Sequence, residues 1–409
     1  MRLPKLAKGL FALLFVCTAS AHAQLQLAQQ DLYLDAMRSI ADGRKTDASD
    51  ALTRMIEQEP QHAGAWLDLA IIQCELGRAA EAERLFNVIE TRFSPPPAIL
   101  EVIARQRAEG CAGWQPRRQF SVSLGRGIDS NVNQGASNPI FTIGSGDYRV
   151  DLELLPEYLP QHDQYTVLST EYMRELTPNG VNGYLQFRAL HNDTFSRYST
   201  SSLVAGVERP WRIGDWAMRG TALVGLHGLG GKLYQIQSQV QTRVTVPLKL
   251  PDNFQTSVIA SVSNLNYPSL SSFDANTAEL RGVLSYNSER TQGQTSVGYI
   301  SDRGAANRPG GDRTGWFANL HARRRINDFL TGEFGWSYHR WQGESMYSPG
   351  FIDEIRHQKT SVLRGALVFP IADKQAIYIE VRKVKNNENI SVFQYNSRQL
   401  QVSWQWHNF

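Results

Sequence analysis

The chain has 409 residues, a formal net charge of +3 and 42% hydrophobic residues. This nearly balanced charge excludes a strong electrostatic attraction to nucleic acid, so no nucleic-acid partner is expected. The mean hydropathy of −0.36 is typical of a water-soluble protein. It does not exclude a transmembrane β-barrel, because barrel strands alternate apolar and polar residues.

The first residues, MRLPKLAKGLFALLFVCTASAHA, have the features of a secretory signal peptide. Basic residues precede an apolar core, and small residues at the end form a cleavage site. A signal peptide over 1–23 therefore predicts export. Cys17 follows Val16 where a lipoprotein signal needs a small residue, which argues against lipid attachment.

Residues 26–112 have helical periodicity and repeat themselves after 34 residues. The recurring pairs are Leu32 and Trp66, Ala36 and Ala70, Gly43 and Gly77, Ala48 and Ala82, and Leu52 and Phe86. This order of large, small and glycine residues resembles tetratricopeptide repeats. Residues 98–109 are predicted to form a capping helix, with Leu100 and Ala104 at the positions of Trp66 and Ala70. A generic pair of helical hairpins is the alternative.

Such a short repeat domain predicts a concave surface that binds a peptide or partner protein and performs no chemistry. Trp66 and Leu69 are candidate apolar anchors, unless packing between helices uses them. Cys74 lies late in the first helix of the second repeat, and Cys111 lies just beyond the capping helix. Because the protein is exported, a Cys74–Cys111 disulfide is predicted. Two buried free thiols are the alternative.

From residue 117 the periodicity changes to two, with Gly, Asn, Asp and Pro clusters between the runs. The segment 234–244 is the clearest case. Fourteen such segments suit a barrel, since strand numbers are normally even and each strand crosses in about 9 to 11 residues. The runs begin near Phe120, Tyr165, Val181, Tyr198, Trp216, Tyr234, Phe254, Ala278, Thr295, Trp316, Leu330, Ser361, Ile377 and Leu400.

These observations predict an α+β membrane protein in which a short tetratricopeptide helical domain precedes a 14-stranded antiparallel transmembrane β-barrel at 117–409. Short and long connections alternate, apart from brief connections at 191–196 and 227–232, which favours a barrel over a soluble β-sandwich. The barrel is therefore expected in the bacterial outer membrane, with both ends and the helical domain in the periplasm. The longer connections are predicted at 131–162, 264–275, 302–312, 342–354 and 385–394.

The final residues, QVSWQWHNF, look like the last strand of such a barrel. Val402, Trp404 and Trp406 share one face, which is expected to meet outer-membrane lipid. A C-terminal aromatic residue is a common recognition feature for the barrel assembly machinery, an expected partner. Phe409 has the opposite parity to the lipid face, so a bulge or a different exit of the chain is required.

The sequence contains no HExxH, GxSxG, phosphate-loop or CxxC motif. An enzyme is therefore not expected, nor is a cofactor or a metal site. His191 and Asp193 are the one candidate catalytic combination, and a polar loop tip is the preferred interpretation.

Charged residues recur on the strand phase opposite the apolar residues. Because charge on a lipid-facing surface is costly, this pattern predicts a hydrated lumen and hence an exporter or a pore. An interior sealed by salt bridges, with no transported substrate, is the alternative. The candidate lumen residues are Arg188, Arg243, Glu279, Arg281, Arg323, Glu333, Arg364, Glu380 and Arg382.

The junction of the two regions reads SLGRGIDSNVN, in which Asp129, Ser130, Asn131 and Asn133 form a G-x-x-D-S-N-x-N motif. A first barrel strand that ends in this motif directly after tetratricopeptide repeats resembles the surface lipoprotein assembly modifiers, the type XI secretion outer-membrane proteins. The resemblance implies a barrel that moves a lipoprotein, or a soluble haem- or iron-acquisition protein, to the cell surface. An exopolysaccharide export porin and a host-interaction or adhesion barrel are the alternatives.

Overall fold

The computed structural model describes residues 32–144 and 149–408. The predicted signal peptide at 1–23 and the residue Phe409 lie outside the described residues. The chain divides into two compact units, which are described separately here. The first comprises Met1–Arg117 with Glu175–Val181, and the second comprises Arg118–Arg174 with Asn182–Phe409.

The first unit is helical, as predicted. Gly43 and Gly77 stand at equivalent turns with φ angles of 72° and 80°, a left-handed conformation that favours glycine after a helix. None of the described helices combines the length and apolar character needed to cross a bilayer. The helices are α1 (32–41), α2 (Lys45–Gln58), α3 (Ala63–Glu75), α4 (Ala79–Phe93) and α5 (Pro97–Glu109).

The repeat pattern explains the helical core. The small residues Ala36, Ala70, Ala48 and Ala82 are all 0% exposed, which lets neighbouring helices approach closely. The capping helix departs from the prediction, because Ala104 is exposed and Ile103 is the buried residue of α5. Within the described part of this unit, no helix follows α5. Ala104 therefore faces solvent, although Ala70 at the equivalent position of α3 is buried.

The second unit is a closed antiparallel barrel of fourteen strands, which confirms the predicted number. Its first strand pairs with its last, with Leu124 opposite Trp404. The strands are β1 (Arg118–Asp129), β4 (Asp163–Glu175), β5 (Asn182–Asn192), β6 (Thr200–Ile213), β7 (Trp216–Leu229), β8 (Lys232–Val246), β9 (Phe254–Asn266), β10 (Ala275–Asn287), β11 (Thr291–Gly304), β12 (Arg313–Asn327), β13 (Leu330–Ser348), β14 (Ile352–Ala372), β15 (Gln375–Glu388) and β16 (Tyr395–His407).

The connections distinguish the two ends of the barrel. We call the end with the short turns and both barrel termini the turn end, and the opposite one the loop end. At the loop end, the connection between β1 and β4 contains a hairpin of β2 (Ile140–Ile143) and β3 (Val150–Glu153) that the sequence did not predict.

The predicted loops at 342–354 and 385–394 are too long. β13 and β14 continue pairing past Gln342 through two register shifts, so that only 349–351 separates them. β15 likewise continues to Glu388. These extensions carry polar residues that hide the strand period, which is why the sequence suggested loops.

The outer surface of the barrel is an apolar band. On β12, Trp316 is 43% exposed and Ile326 is 53% exposed, with alternate residues between them on the same phase. Ten residues at ~3.3 Å each, tilted by ~40°, span about 25 Å, the height of a bilayer-facing band. The fold is thus that of an outer-membrane type of transmembrane barrel.

Candidate functional site: the inner wall of the barrel

Nine charged residues predicted to line the lumen lie on the inward phase of their strands. The alternation with exposed apolar neighbours establishes this orientation. On β14, for example, Leu363 and Leu367 are 45% and 43% exposed and flank Arg364 and Ala366, of which Ala366 is 5% exposed. Within residues 32–144 and 149–408, six of the nine form ion pairs and three do not.

The largest of these groups is a network that crosses β12 to β15. Arg364 lies between two carboxylates, 2.6 Å from Glu380 and 3.5 Å from Glu333. Arg323 approaches Glu333 from the other side at 3.7 Å. Tyr378, which the sequence did not single out, donates its hydroxyl to Glu333 at 2.7 Å. Because the charges compensate, this network stiffens the wall and offers a passing molecule little net charge.

A second pair lies on one strand. Glu279 and Arg281 are two residues apart on β10 and form an ion pair. The guanidinium carbon of Arg281 also lies 4.9 Å from the centre of the Phe317 ring. This cation–π contact holds the arginine against the wall.

Three arginines of the inner wall have no acidic partner in the described part of the chain. Arg243 donates to the Ser257 hydroxyl at 3.2 Å, and Arg382 donates to the Gln399 amide oxygen at 3.3 Å. Arg188 is exposed on β5. Because their partners are neutral or absent, these three arginines present uncompensated positive charge to the lumen. This charge favours contact with anionic groups.

At the loop end the inner wall contains a cavity of about 160 Å³ that the sequence did not reveal. Two of its arginines, Arg308 and Arg313, share the carboxylate of Asp302, which is fully buried. Arg313 also stacks over Trp341 at 4.5 Å. Asp302 and Arg308 fall within the predicted loop 302–312, so their strand phase could not be assigned.

A third arginine completes the cavity. Arg356 binds Glu388 at 2.7 Å and lies 4.4 Å from the centre of the Phe393 ring. Arginine faces and aromatic rings together can hold a planar or anionic group, because the rings supply contact area and the guanidinium groups supply donors. Glu388 fell in the predicted loop 385–394, and Arg356 lies between the predicted loop 342–354 and the run predicted to begin near Ser361.

The junction motif has a structural role at the loop end. Asp129 accepts hydrogen bonds from Ser397 and Gln399, both at 2.7 Å, across the β1–β16 seam. The Ser130 hydroxyl accepts the Arg398 backbone N–H at 2.8 Å. Three of the five residues in this contact set come from the last strand, so the motif's first half closes the barrel.

The two asparagines of the motif hold the first long loop. Asn131 is 2% exposed, and its amide donates to the carbonyls of Gly135 at 3.0 Å and Asn396 at 2.9 Å. Asn133 donates to the carbonyls of Glu157 and Leu159 at 3.1 and 2.8 Å. These side chains are occupied by the chain itself.

The candidate catalytic combination of His191 and Asp193 is not assembled. The Asp193 carboxylate binds Arg126 at 2.8 Å, and this hydrogen bond is the main cause that lowers the Asp193 pKa. His191 lies 3.4 Å from the Ser199 hydroxyl instead. Among the described residues, no three His, Cys, Asp or Glu side chains form a group that could hold a metal ion.

In the helical unit, the proposed anchors are used internally. Leu69 is 2% exposed, so packing between helices uses it and the condition set for a client contact is not met. Trp66 is half-buried against the core and donates its indole N–H to the Pro60 carbonyl at 3.1 Å. Packing between helices explains both, since these positions hold the repeat together. Cys74 and Cys111 are joined by a disulfide with a Cα separation of 4.6 Å.

Sequence comparison places the helical unit in a known class. Residues 39–105 match the tetratricopeptide repeat family. None of the curated proteins matches the sequence. The chain therefore joins tetratricopeptide repeats to a 14-stranded antiparallel transmembrane barrel.

Solved barrels resemble the second unit only distantly. An anion-selective porin from Comamonas acidovorans is 9% identical, with 72% of this chain and 99% of that chain covered and a TM-score of 0.40. The outer membrane channel DcaP of Acinetobacter baumannii is 9% identical, covering 72% and 97%, with a TM-score of 0.39. OccAB3 of the same organism is 11% identical, covering 71% and 99%, with a TM-score of 0.37. Likeness at this level carries no functional argument.

Proposed function

We propose that this protein is an outer-membrane translocator that moves a lipoprotein, or a soluble haem- or iron-acquisition protein, to the bacterial cell surface. The helical unit receives the client in the periplasm, and the barrel provides the route or the platform for its exit. The observation that carries the proposal is the order of parts in one chain. Tetratricopeptide repeats at 39–105 are followed by the D-S-N-x-N motif at 129–133 and a fourteen-stranded barrel.

The inner wall supports passage of a polypeptide. The Glu333–Arg364–Glu380 network is charge-compensated, so it adds little electrostatic attraction. On β8, the amides of Gln237 and Gln239 bond to the next glutamine along the strand, forming a neutral polar ladder. Weak, distributed hydrogen bonds of this kind suit transport, because tight binding would slow release.

The helical unit supports a binding role. Its described apolar residues are largely consumed by the core, yet Leu34 and Leu100 remain 44% and 40% exposed on α1 and α5. Short repeat arrays commonly bind extended or helical peptides on such surfaces. Leu34 and Leu100 therefore replace Trp66 and Leu69 as the candidate client contacts.

The test is surface exposure of the exported protein encoded beside this chain, measured by protease shaving of intact cells. Deletion of residues 26–112 should leave the barrel inserted but reduce the exposed client. A variant with Leu34→Ser and Leu100→Ser should do the same, and Leu248→Ser, an exposed leucine of the barrel, serves as the matched control. Equal client exposure with and without the whole protein would contradict the proposal.

An export porin for an anionic polymer is the second candidate. The observation that favours it is the set of wall arginines without acidic partners, Arg188, Arg243 and Arg382. In that case deletion of the protein removes a polysaccharide from the medium and leaves client exposure unchanged. The same cells therefore distinguish the two candidates.

A further inference from the structure

We propose that the outer surface of the barrel binds a phosphorylated lipid headgroup at the loop end. The site is formed by exposed basic side chains on four neighbouring strands, which we call the basic cluster. This inference is independent of the proposed transport function. The cluster consists of Arg340 on β13, Lys359 on β14, Lys383 and Lys385 on β15, and Arg398 on β16.

The basic cluster faces away from the lumen. Its members have the same parity as apolar residues that are exposed on the same strands, and side chains of equal parity project from one face. These strands have no register shift between the apolar residues and the basic ones. The apolar residues are Trp336, Leu363, Val381 and Leu400, which are 37%, 45%, 54% and 42% exposed.

The strand register places the basic cluster at the edge of the apolar band. Trp316 is directly opposite Arg340, and Arg340 is directly opposite Lys359. Trp316 packs with Tyr338 at 5.0 Å between ring centres. Outward-facing Trp and Tyr residues mark the membrane–water interface. Arg340 and Lys359 therefore lie at the level of the lipid headgroups on the loop-end side. On β15 and β16, Lys383 and Arg398 lie on the loop-end side of the exposed Val381 and Leu400.

The charges of the basic cluster are not compensated by the protein. Arg340 is opposite Lys359, and Lys383 is opposite Arg398, so the basic cluster contains two directly opposed like-charge pairs. Directly opposed like charges destabilise a sheet unless a counter-ion is present. Within the described ranges, none of the five forms an ion pair.

A neighbouring arginine shows the contrast. Arg126 lies on the same outward phase of β1 and is neutralised by Asp193. On β13 the first acidic residue of the outward phase is Glu344, beyond Arg340 towards the loop. The barrel thus compensates one outward arginine and leaves the basic cluster open, which indicates an anion supplied from outside the chain.

Phosphate is the anion that fits. Arginine forms paired hydrogen bonds with phosphate oxygens, and lysine supplies a point charge. Four adjacent strands separated by about 4.8 Å span about 14 Å, so the basic cluster can contact more than one phosphate. The geometry therefore favours a lipid whose headgroup carries several phosphates, such as a bis-phosphorylated glycolipid of the outer leaflet.

The test uses the full-length mature protein in nonionic detergent and measures binding of bis-phosphorylated lipid A by native mass spectrometry. A variant with Arg340→Gln, Lys359→Gln, Lys383→Gln and Arg398→Gln should weaken binding at least about tenfold. Arg303→Gln is the matched control, because Arg303 is also exposed and outward at the loop end of β11. It should change binding less than about twofold. Folding of each variant is checked by heat-modifiable migration on gels.

Three probes separate the sources of phosphate. Bis-phosphorylated lipid A should bind more tightly than lipid A without phosphates, and added inorganic phosphate should compete only weakly. Without lipid, the quadruple variant should unfold at a higher temperature than the wild type, because the like-charge pairs are gone. Equal binding of both lipids, equal binding by the wild type and the quadruple variant, or full competition by inorganic phosphate would each overturn the assignment.

Discussion

Asp129 and Ser397 are 268 residues apart in sequence, yet the Ser397 hydroxyl donates a 2.7 Å hydrogen bond to the Asp129 carboxylate. This contact crosses the seam where the first and last barrel strands meet. A motif that resembles a secretion family in sequence is therefore, in this chain, a set of groups that close the barrel and anchor its longest loop. The contribution of this motif to the stability of the barrel can therefore be measured separately from any effect on transport.

Replacement of Asn131 by Ala tests the anchoring role. The buried amide makes three hydrogen bonds, the shortest accepted from the Gly135 backbone N–H at 2.7 Å. Its loss leaves buried peptide groups without partners and should cost about 1–3 kcal/mol. The measurement is the denaturant midpoint of the purified barrel. Asn138→Ala is the control, because Asn138 is exposed and its side chain, among the residues that the structure describes, bonds only to the nearby Ile140 N–H. Equal midpoints for the two variants would contradict the prediction.

Reduction of the Cys74–Cys111 disulfide should destabilise the helical unit. The bond closes a loop with a sequence separation of 37 residues, and cross-links of this size stabilise by roughly 2–4 kcal/mol. Helical ellipticity should therefore be lost at a lower temperature after reduction. A double Cys74→Ala, Cys111→Ala variant should unfold at that lower temperature and be insensitive to reductant. Two thiols that react with a label in the non-reduced mature protein would show that no bond forms.

The stability of the helical unit should fall at high pH through Tyr33. Burial, and the hydrogen bond to Asp68, raise the pKa of Tyr33 to about 12. In the unfolded chain the phenol ionises near pH 10. The stabilisation is therefore complete below about pH 10 and is lost as pH rises through about 12. Thermal unfolding followed by circular dichroism should show this loss in the wild type and a smaller one in Tyr33→Phe. Identical pH profiles would contradict the assignment.

The sequence predicted the parts of the fold that follow from a repeated physical constraint. Alternation against lipid recurs on every strand, so the strand number could be counted, and the small residues between helices recur after 34 positions. The sequence-based prediction failed where burial depends on whether one particular neighbouring helix is present. Ala104 copies Ala70 in spacing but not in burial, because α5 is the last helix of its unit.

The same limit applies to the candidate site. The alternation of apolar and polar residues along each strand predicted which charged residues face the lumen. One neighbouring apolar residue is enough to distinguish the two faces of a strand. This alternation could not pair Arg356 with Glu388, because both residues lie in strand extensions that the sequence did not predict. Register between strands distant in the chain is a property of the closed barrel, and only the structure supplies it.

The last prediction concerns ion selectivity of the barrel. Arg188, Arg243 and Arg382 face the lumen without an acidic partner among the described residues, so the reconstituted barrel should prefer anions. Replacing all three by Gln should lower the chloride-to-potassium permeability ratio by on the order of twofold or more, because three charges leave the wall. The ratio is obtained from the reversal potential across a planar bilayer in a potassium chloride gradient. Arg324→Gln is the control, since Arg324 lies on the outward phase of β12 and its charge does not reach the lumen. An equal shift for the control, or none for the triple variant, would show that these arginines do not determine the potential of the lumen.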